Sequence, residues 1–248
     1  MAIEVSILTY TPSPELMVAV AARACIEDDS PHALRDRLSA EDVRRLVTTV
    51  IVKGHHSVLE HVTFTIAVSG VSRVLTHQLV RHRMASYSQL SQQRSDASDL
   101  AYAVPPEIRR EPELRERYAS LMELCREFYI DASKAGVSKG SARYVLPSGF
   151  ETRIVVTMNA RSLFNLLAQR ECAAEEWEFR QVATQLHREL LKVAPTIFAL
   201  AGTPCETTGL CLEGEVGQKC ARAQLTEATI QNTRSDIHDL LAQSLSAR

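Results

Sequence analysis

Val62, Phe64, Ile66 and Val68 alternate with Thr63, Thr65, Ala67 and Ser69, and this run leaves the chain little choice. Successive side chains of a strand point to opposite faces, so the alternation predicts a strand with one buried face, ended by Gly70. Residues 2–9 (Ile3, Val5, Ile7) and 152–158 read as further strands. Between them the period becomes helical. After Pro12-Ser13-Pro14 an Ala-rich helix runs from about Glu15 to Cys25. Ser39 and Asp42 resemble a capping box ahead of Val43, Leu46, Val47, Val50 and Ile51, with Gly54 as the C-terminal glycine. Residues 55–61 form a polar stretch. From Val71 the spacing predicts a helix with Val71, Val74, Leu75, Gln78 and His82 on one face. Residues 86–99 and Pro105-Pro106 read as a loop region. A long amphipathic helix over 112–135 carries Leu114, Tyr118, Leu121, Cys125 and Phe128 and closes at Gly136. Asn159 is placed to cap a helix running to about Arg170, and another covers about 175–194, stopping at Pro195. Residues 202–220 read as a loop, with a polar helix ending the chain. There is no internal repeat or linker, so one α+β domain over 1–248 is the simplest account, with 202–248 its Cys-containing loop and helix.

Charge then narrows the function. With 28 basic and 30 acidic side chains the formal net charge is −2, whereas a protein living on duplex nucleic acid carries a basic excess to displace counterions. No apolar run approaches the ~20 residues of a membrane span. The first ten residues lack the basic start and cleavage site of a signal peptide. Cys25, Cys125, Cys172, Cys205, Cys211 and Cys220 are scattered, not spaced as a disulfide framework. A cytoplasmic protein with no nucleic-acid or membrane partner is expected.

Five of the eight histidines (His55, His56, His61, His77 and His82) fall within 28 residues, with Arg73, Arg81, Arg83 and Arg94 in or just past that window. A solvated helix face accounts for any one of them; their clustering points to a site. Arg81-His82-Arg83, then Ser86, Ser88, Gln89 and Ser91, suit an anionic ligand with a hydrogen-bonding edge, because guanidinium forks match phosphate and amides read a base. Gln78 and Arg81, three apart, would be neighbours on a helix. A second cluster is Asn159, Arg161, Asn165 and Arg170, where 161, 165 and about 168–169 share a face of a helix whose N-terminus favours anions. A cap with solvated arginines is the plainer reading of that cluster. No phosphate loop, GxGxxG, HExxH or tight CxxC pair is present, so any nucleotide is bound by side chains from several elements and no metal is expected.

Arg81-His82-Arg83, seven residues, then Ser91 resembles the RHR-x7-S signature of flavin-dependent thymidylate synthases. Gly54-His55-His56-Ser57-Val58-Leu59-Glu60-His61 with Phe64-Thr65 resembles that family's GHxSxxEHxxFT segment. Ala142-Arg143 with Leu146-Pro147, Asn159-Ala160-Arg161-Ser162-Leu163 with Asn165 and Arg170, and Trp177-Glu178 are similar to its later motifs. The agreement is ordered from about residue 54 to 180. One departure stands out. The family commonly reads Ser-x-Arg-Tyr at the end of the signature, whereas Ser91 is followed here by Gln92-Gln93-Arg94. That arginine is associated with phosphate binding, so either Arg94 substitutes through a loop shift or Gln93 makes a weaker contact. An acidic or Asn side chain is also common where this chain has Ser88-Gln89.

The resemblance implies an α+β fold with a mixed sheet core and long helices, a homotetramer with sites shared between subunits, and reductive methylation of dUMP to dTMP. FAD would supply the hydride, NADPH would recharge it and methylenetetrahydrofolate would donate the carbon. Arg170 corresponds to the arginine that stabilises the ionised pyrimidine, in place of a cysteine nucleophile. Gln78, Arg81, Gln89, Leu90, Ser91, Gln92, Gln93, Arg143 and Arg170 would hold dUMP. His55, Ser57, Arg81, His82, Arg83, Gln89, Asn159, Arg161 and Asn165 would hold FAD. Two rivals predict otherwise. A non-catalytic nucleotide or single-stranded RNA binder would use the arginines but needs more aromatic stacking than 5% supplies. A metal-dependent hydrolase would use the histidines, and the three late cysteines could form a small metal or redox site.

Overall fold

A computed structural model describes residues 2–99, 101–211 and 213–220. In chain order they form β1 (Glu4–Tyr10), α1 (Pro14–Ala24), α2 (Pro31–Arg37), α3 (Ala40–Val52), a 3-10 helix over His56–His61, β2 (Thr63–Ser72), α4 (Arg73–Leu79) and β3 (Ala85–Gln89). Then follow α5 (Pro106–Arg110), α6 (Pro112–Lys134), α7 (Lys139–Ala142), β4 (Glu151–Asn159), α8 (Ala160–Arg170), α9 (Trp177–Val193), α10 (Pro195–Phe198), α11 (Pro204–Thr208) and α12 (Gly214–Lys219). The polar helix expected after residue 220 lies outside the described residues. Among those described, no helix is long and apolar enough to cross a membrane.

The four strands hydrogen-bond in the order β1-β2-β4-β3. The sheet is antiparallel rather than mixed, as its register shows. Thr11 N donates to Thr63 O at 3.0 Å while Gly70 lies against Ala2, so β1 and β2 run oppositely. Ala160 N donates to Val62 O and Arg73 N to Phe150 O, which reverses β4 against β2. Leu90 N reaches Arg153 O at 3.0 Å. A parallel register would put Ala85 opposite Ser148, outside β4. Antiparallel neighbours need no long crossover helix, so the helices are free to pack elsewhere.

The described chain forms two compact units, residues 2–6 with 66–157 and residues 7–65 with 158–220. In the second, α1 packs on α3, α3 on α10 and α8 on α9. Val43, Val47 and Ile51 of α3 are buried as their spacing predicts, and the Ser39 and Asp42 capping box is present. Phe64 is fully buried, stacked on Tyr10 at 6.1 Å and edge-on to Phe198 at 5.4 Å. In the first unit Tyr129, Ala97 and Ala142 form a small buried cluster, and Tyr118 Oη donates to Ala103 O at 2.9 Å.

Several local expectations are corrected. Gly70 does not end its strand. Its φ of +65° lets β2 bend and continue to Ser72, and a Cβ there would stand 2.0 Å from the Ala2 carbonyl oxygen, so no larger residue fits. Val71 is therefore a buried strand residue. The helix starts at Arg73, because the Ser72 hydroxyl caps it by accepting from Leu75 N at 3.1 Å. The polar run 86–99 contains β3. Polar residues 55–61 form a 3-10 helix, and 202–220 contains α11 and α12. The Thr203 N–H donates to Glu206 at the start of α11, and α2 begins behind a Ser30 cap and Pro31, signals present in the chain but overlooked. On α6 the buried side chains are Met122 and Tyr129, while Leu114, Leu121, Leu124 and Phe128 face outward at 49–62% exposure.

Candidate functional site

The Arg81-His82-Arg83 segment is a turn held by its neighbours. α4 stops at Leu79, and Arg81 N and His82 N donate to Gln78 O and Leu79 O at 3.2 and 3.1 Å. Arg81 thus leaves the helix, and the expected helical pairing with Gln78 is not made. The helix closes there because Arg81 N and His82 N bond three residues back instead of four, ending α4 before Arg81. Tyr87 of β3 holds the turn, its phenol donating toward Leu79 O at 2.9 Å and His82 O at 2.7 Å. Burial pushes the Tyr87 pKa up to about 12, so the phenol stays a donor at neutral pH. Arg81 and Arg83 are exposed; Gln78 and His82 are half-buried.

Past β3 the signature loop divides its side chains between protein and solvent. Gln89 turns inward, its Nε2 donating to Thr76 Oγ1 at 2.9 Å and Thr152 Oγ1 at 3.2 Å. Gln92 is only 6% exposed and its Nε2 has no partner, whereas Ser91, Gln93 and Arg94 are exposed. Ser91 O accepts from Arg94 N and Ser95 N, closing a tight turn. Leu90 O accepts from Arg73 Nη2 at 3.1 Å. Just beyond, Ser98 N–H and then Lys139 hold the Asp96 carboxylate down to about 2. Arg143 is half-buried, its Nε donating to Gly140 O at 3.2 Å. This unit therefore brings Leu90–Gln93, Arg73 and Arg143 together.

In the other unit, Asn159 Oδ1 accepts from Ser162 N at 2.8 Å, capping α8 as expected. Arg161 and Asn165 lie on the exposed face of α8. Arg161 pairs with Glu60 of the 3-10 helix, and both remain about half exposed. His55 and Ser57 are exposed at the start of that helix. His56 points inward, its Nε2 3.1 Å from Ile51 O and its ring 5.8 Å from Phe164. Guanidinium, imidazole, hydroxyl and amide groups, with one carboxylate among them, make a donor set suited to a diphosphate.

Arg170 is not a solvated helix-end cation. It pairs with Glu175, the side chains being 16% and 13% exposed, and its guanidinium lies 4.7 Å from the Phe179 ring centroid. The next residue, Glu171, is 5% exposed and faces His187 Nδ1 at 3.0 Å, while His187 Nε2 faces Phe198 O at 2.9 Å. With an acceptor at each nitrogen the imidazole is satisfied as the cation. Burial opposes that charge, but the bonds to Glu171 and the Phe198 carbonyl, with the charges of Glu171 and Glu206, outweigh it and raise the pKa. A raised folded pKa stabilises fully below the unfolded value near 6.5, and the gain is lost as pH rises through the folded pKa. Melting temperature is accordingly expected to fall from about pH 6.5 upward, and His187→Gln to flatten that part of the profile. An unchanged profile in the variant would remove His187 from the account.

Tyr87 and Glu175 are working residues that the sequence reading did not name, whereas Arg73 was named only within the basic cluster and Glu60 only within the Gly54–His61 segment. Of the first two, Tyr87 carried a signal, as the one aromatic in a polar run. Cys172, Cys205, Cys211 and Cys220 line one cavity of about 10 Å³. Among the described residues no group of three or more His, Cys, Asp or Glu side chains is arranged to hold a metal ion.

The chain as a whole is similar to known proteins. The family model described as thymidylate synthase complementing protein matches residues 6–196. The chain is 42% identical over 224 residues to the flavin-dependent thymidylate synthase of Geobacter sulfurreducens, spanning 89% of this chain and 94% of the relative. It is 38% identical over 239 residues to that of Clostridium tetani, spanning 90% and 95%. To that of the archaeon Thermococcus onnurineus it is 37% identical over 222 residues, spanning 86% and 91%.

Proposed function

Because this chain belongs to the thymidylate synthase complementing protein family, that of the flavin-dependent thymidylate synthases, we propose that it methylates dUMP to dTMP. Methylenetetrahydrofolate is the carbon donor, NADPH the reductant and FAD the flavin. The observation that carries this is likeness to synthases named for flavin dependence across nearly their whole length. Reduced FAD supplies the hydride that completes the methyl group. His55, Ser57, Asn159, Arg161 and Asn165, with Arg81, His82, Arg83 and Gln89, hold the flavin. Gln78, Arg81, Arg143 and the Gln89–Gln93 loop hold dUMP. Since the Gln89 amide is committed to Thr76 and Thr152, and Gln92 is buried, those two residues serve through loop shape and backbone.

Carbon 5 of uracil is a weak nucleophile and needs added electron density. Arg170 meets that need as a fixed cation beside the ionised ring, which lowers the barrier without a covalent adduct. Glu175 and Phe179 hold its plane. We further read residues 1–248 as one functional domain in the cytoplasm, without nucleic-acid or membrane partners, assembling as a homotetramer with shared sites. The outward Leu114, Leu121 and Phe128 of α6 support self-association.

The test is direct. Purified protein with saturating FAD is expected to show flavin absorbance, and NADPH is expected to bleach it faster under low oxygen when dUMP is present. A colourless protein indifferent to dUMP would sink the synthase reading and leave the arginines as a binding surface.

A further inference from the structure

Arg73 and Arg143 come from elements 70 residues apart, yet their charges act on each other. Arg73 opens α4 and gives Nη2 to Leu90 O at 3.1 Å, while its Nε is buried without a partner. Arg143 gives its Nε to Gly140 O at 3.2 Å. Neither makes an ion pair among the described residues, and both are half-buried. Burial first, and the Arg143 charge second, push Arg73 below the ordinary arginine range. Two like charges partly withdrawn from water, with donors to spare, are costly until an anion enters.

The loop that carries the signature's altered end is tied to both arginines. Arg73 holds its Leu90 carbonyl. Gly140, whose own carbonyl anchors Arg143, lies so near Gln93 that an added Cβ would meet Gln93 Cγ at 3.4 Å. Gln93 is uncharged, and the loop's own cation, Arg94, is exposed.

We propose that Arg73 is a phosphate-binding residue which, together with Arg143, supplies positive charge beside the uncharged Gln93. The inference rests on the synthase reading for the identity of the phosphoryl group, taken as that of dUMP. A planar guanidinium suits the role because it can bond the loop carbonyl and an oxyanion at once.

The experiment titrates dUMP and deoxyuridine into the FAD-loaded protein, comparing wild type with Arg73→Gln, Arg73→Lys and Arg94→Gln. Arg73→Gln is expected to weaken dUMP binding roughly 10- to 100-fold, the range for losing one charge-assisted bond. Deoxyuridine affinity and FAD retention are expected to stay as in wild type. Arg73→Lys recovers part of the loss, and Arg94→Gln does not reproduce it. Wild-type dUMP affinity in Arg73→Gln would overturn the proposal. So would equal loss for dUMP and deoxyuridine, which would mean a collapsed turn, or loss of FAD alone, which would assign the site to the flavin diphosphate. If Arg73→Gln does not fold, Arg73→Lys carries the same comparison, since it keeps the charge and loses the fork. Should wild type bind neither dUMP nor deoxyuridine, the synthase reading fails separately. Inorganic phosphate then decides the anion site, by raising the melting temperature of wild type and less that of Arg73→Lys; an equal rise in both would overturn the proposal.

Discussion

Replacing Arg170 by methionine is expected to lower dTMP formation roughly 10²- to 10³-fold, the effect of removing one preorganised charge from a reacting site. The variant is also expected to lose stability, because Glu175 is left as a largely buried carboxylate without its partner, a change worth about 3–5 kcal/mol. The two effects separate with a pair of controls. Removing both charges in Arg170→Met with Glu175→Gln should restore most of the stability, since a neutral pair has no stranded ion. It should not restore turnover. Glu175→Gln alone keeps the cation but loosens its plane, and is expected to raise KM or lower kcat more mildly than the loss of Arg170. Equal turnover per folded molecule in wild type and Arg170→Met would remove Arg170 from the chemistry and return it to a structural ion pair.

Replacing Phe64 by alanine is expected to cost about 3–5 kcal/mol, a large share of the ~5–15 kcal/mol that holds a domain folded. Phe64 is fully buried and joins Tyr10 to Phe198. Phe198 in turn meets Phe164 at 5.9 Å, and Phe164 meets His56 at 5.8 Å. This chain of rings seats α8 against the 3-10 helix that carries Ser57 and Glu60, so the cavity is expected to loosen the Arg161–Glu60 contact as well. Phe64→Leu keeps most of the volume and should cost under about 1.5 kcal/mol. Urea unfolding reads both values, and a cost below about 1 kcal/mol for alanine would mean that the surrounding rings collapse into the space.

Much of the architecture was legible residue by residue. The alternation in 62–69 and 152–158, the Ser39 and Asn159 caps, and the exposed face of α8 bearing Arg161 and Asn165 all follow from short-range rules. Backbone periodicity and capping depend on neighbours within a few positions, so the chain displays them openly. β3 escaped because Ala85, Tyr87 and Gln89 alternate with serines, a pattern without apolar contrast, and its pairing to β4 comes from the Leu90–Arg153 bond. The buried side of α6 was not legible for a related reason. Its apolar residues nearly encircle the helix, so only packing could choose Met122 and Tyr129 over Leu121 and Phe128.

The site divides along the same line. Residue types in order were enough to mark the Arg81–Ser91 signature and the family to which it belongs. They could not tell that Tyr87 holds the arginine turn, that Gln89 is spent on two threonines, or that Glu175 holds Arg170. Nor could they bring Arg73 and Arg143 to the same Leu90–Gln93 loop. Which side chains a chain carries is written in its order. Which charges face each other, and which donors remain for a ligand, depends on contacts between distant segments, and those exist only once the chain has folded.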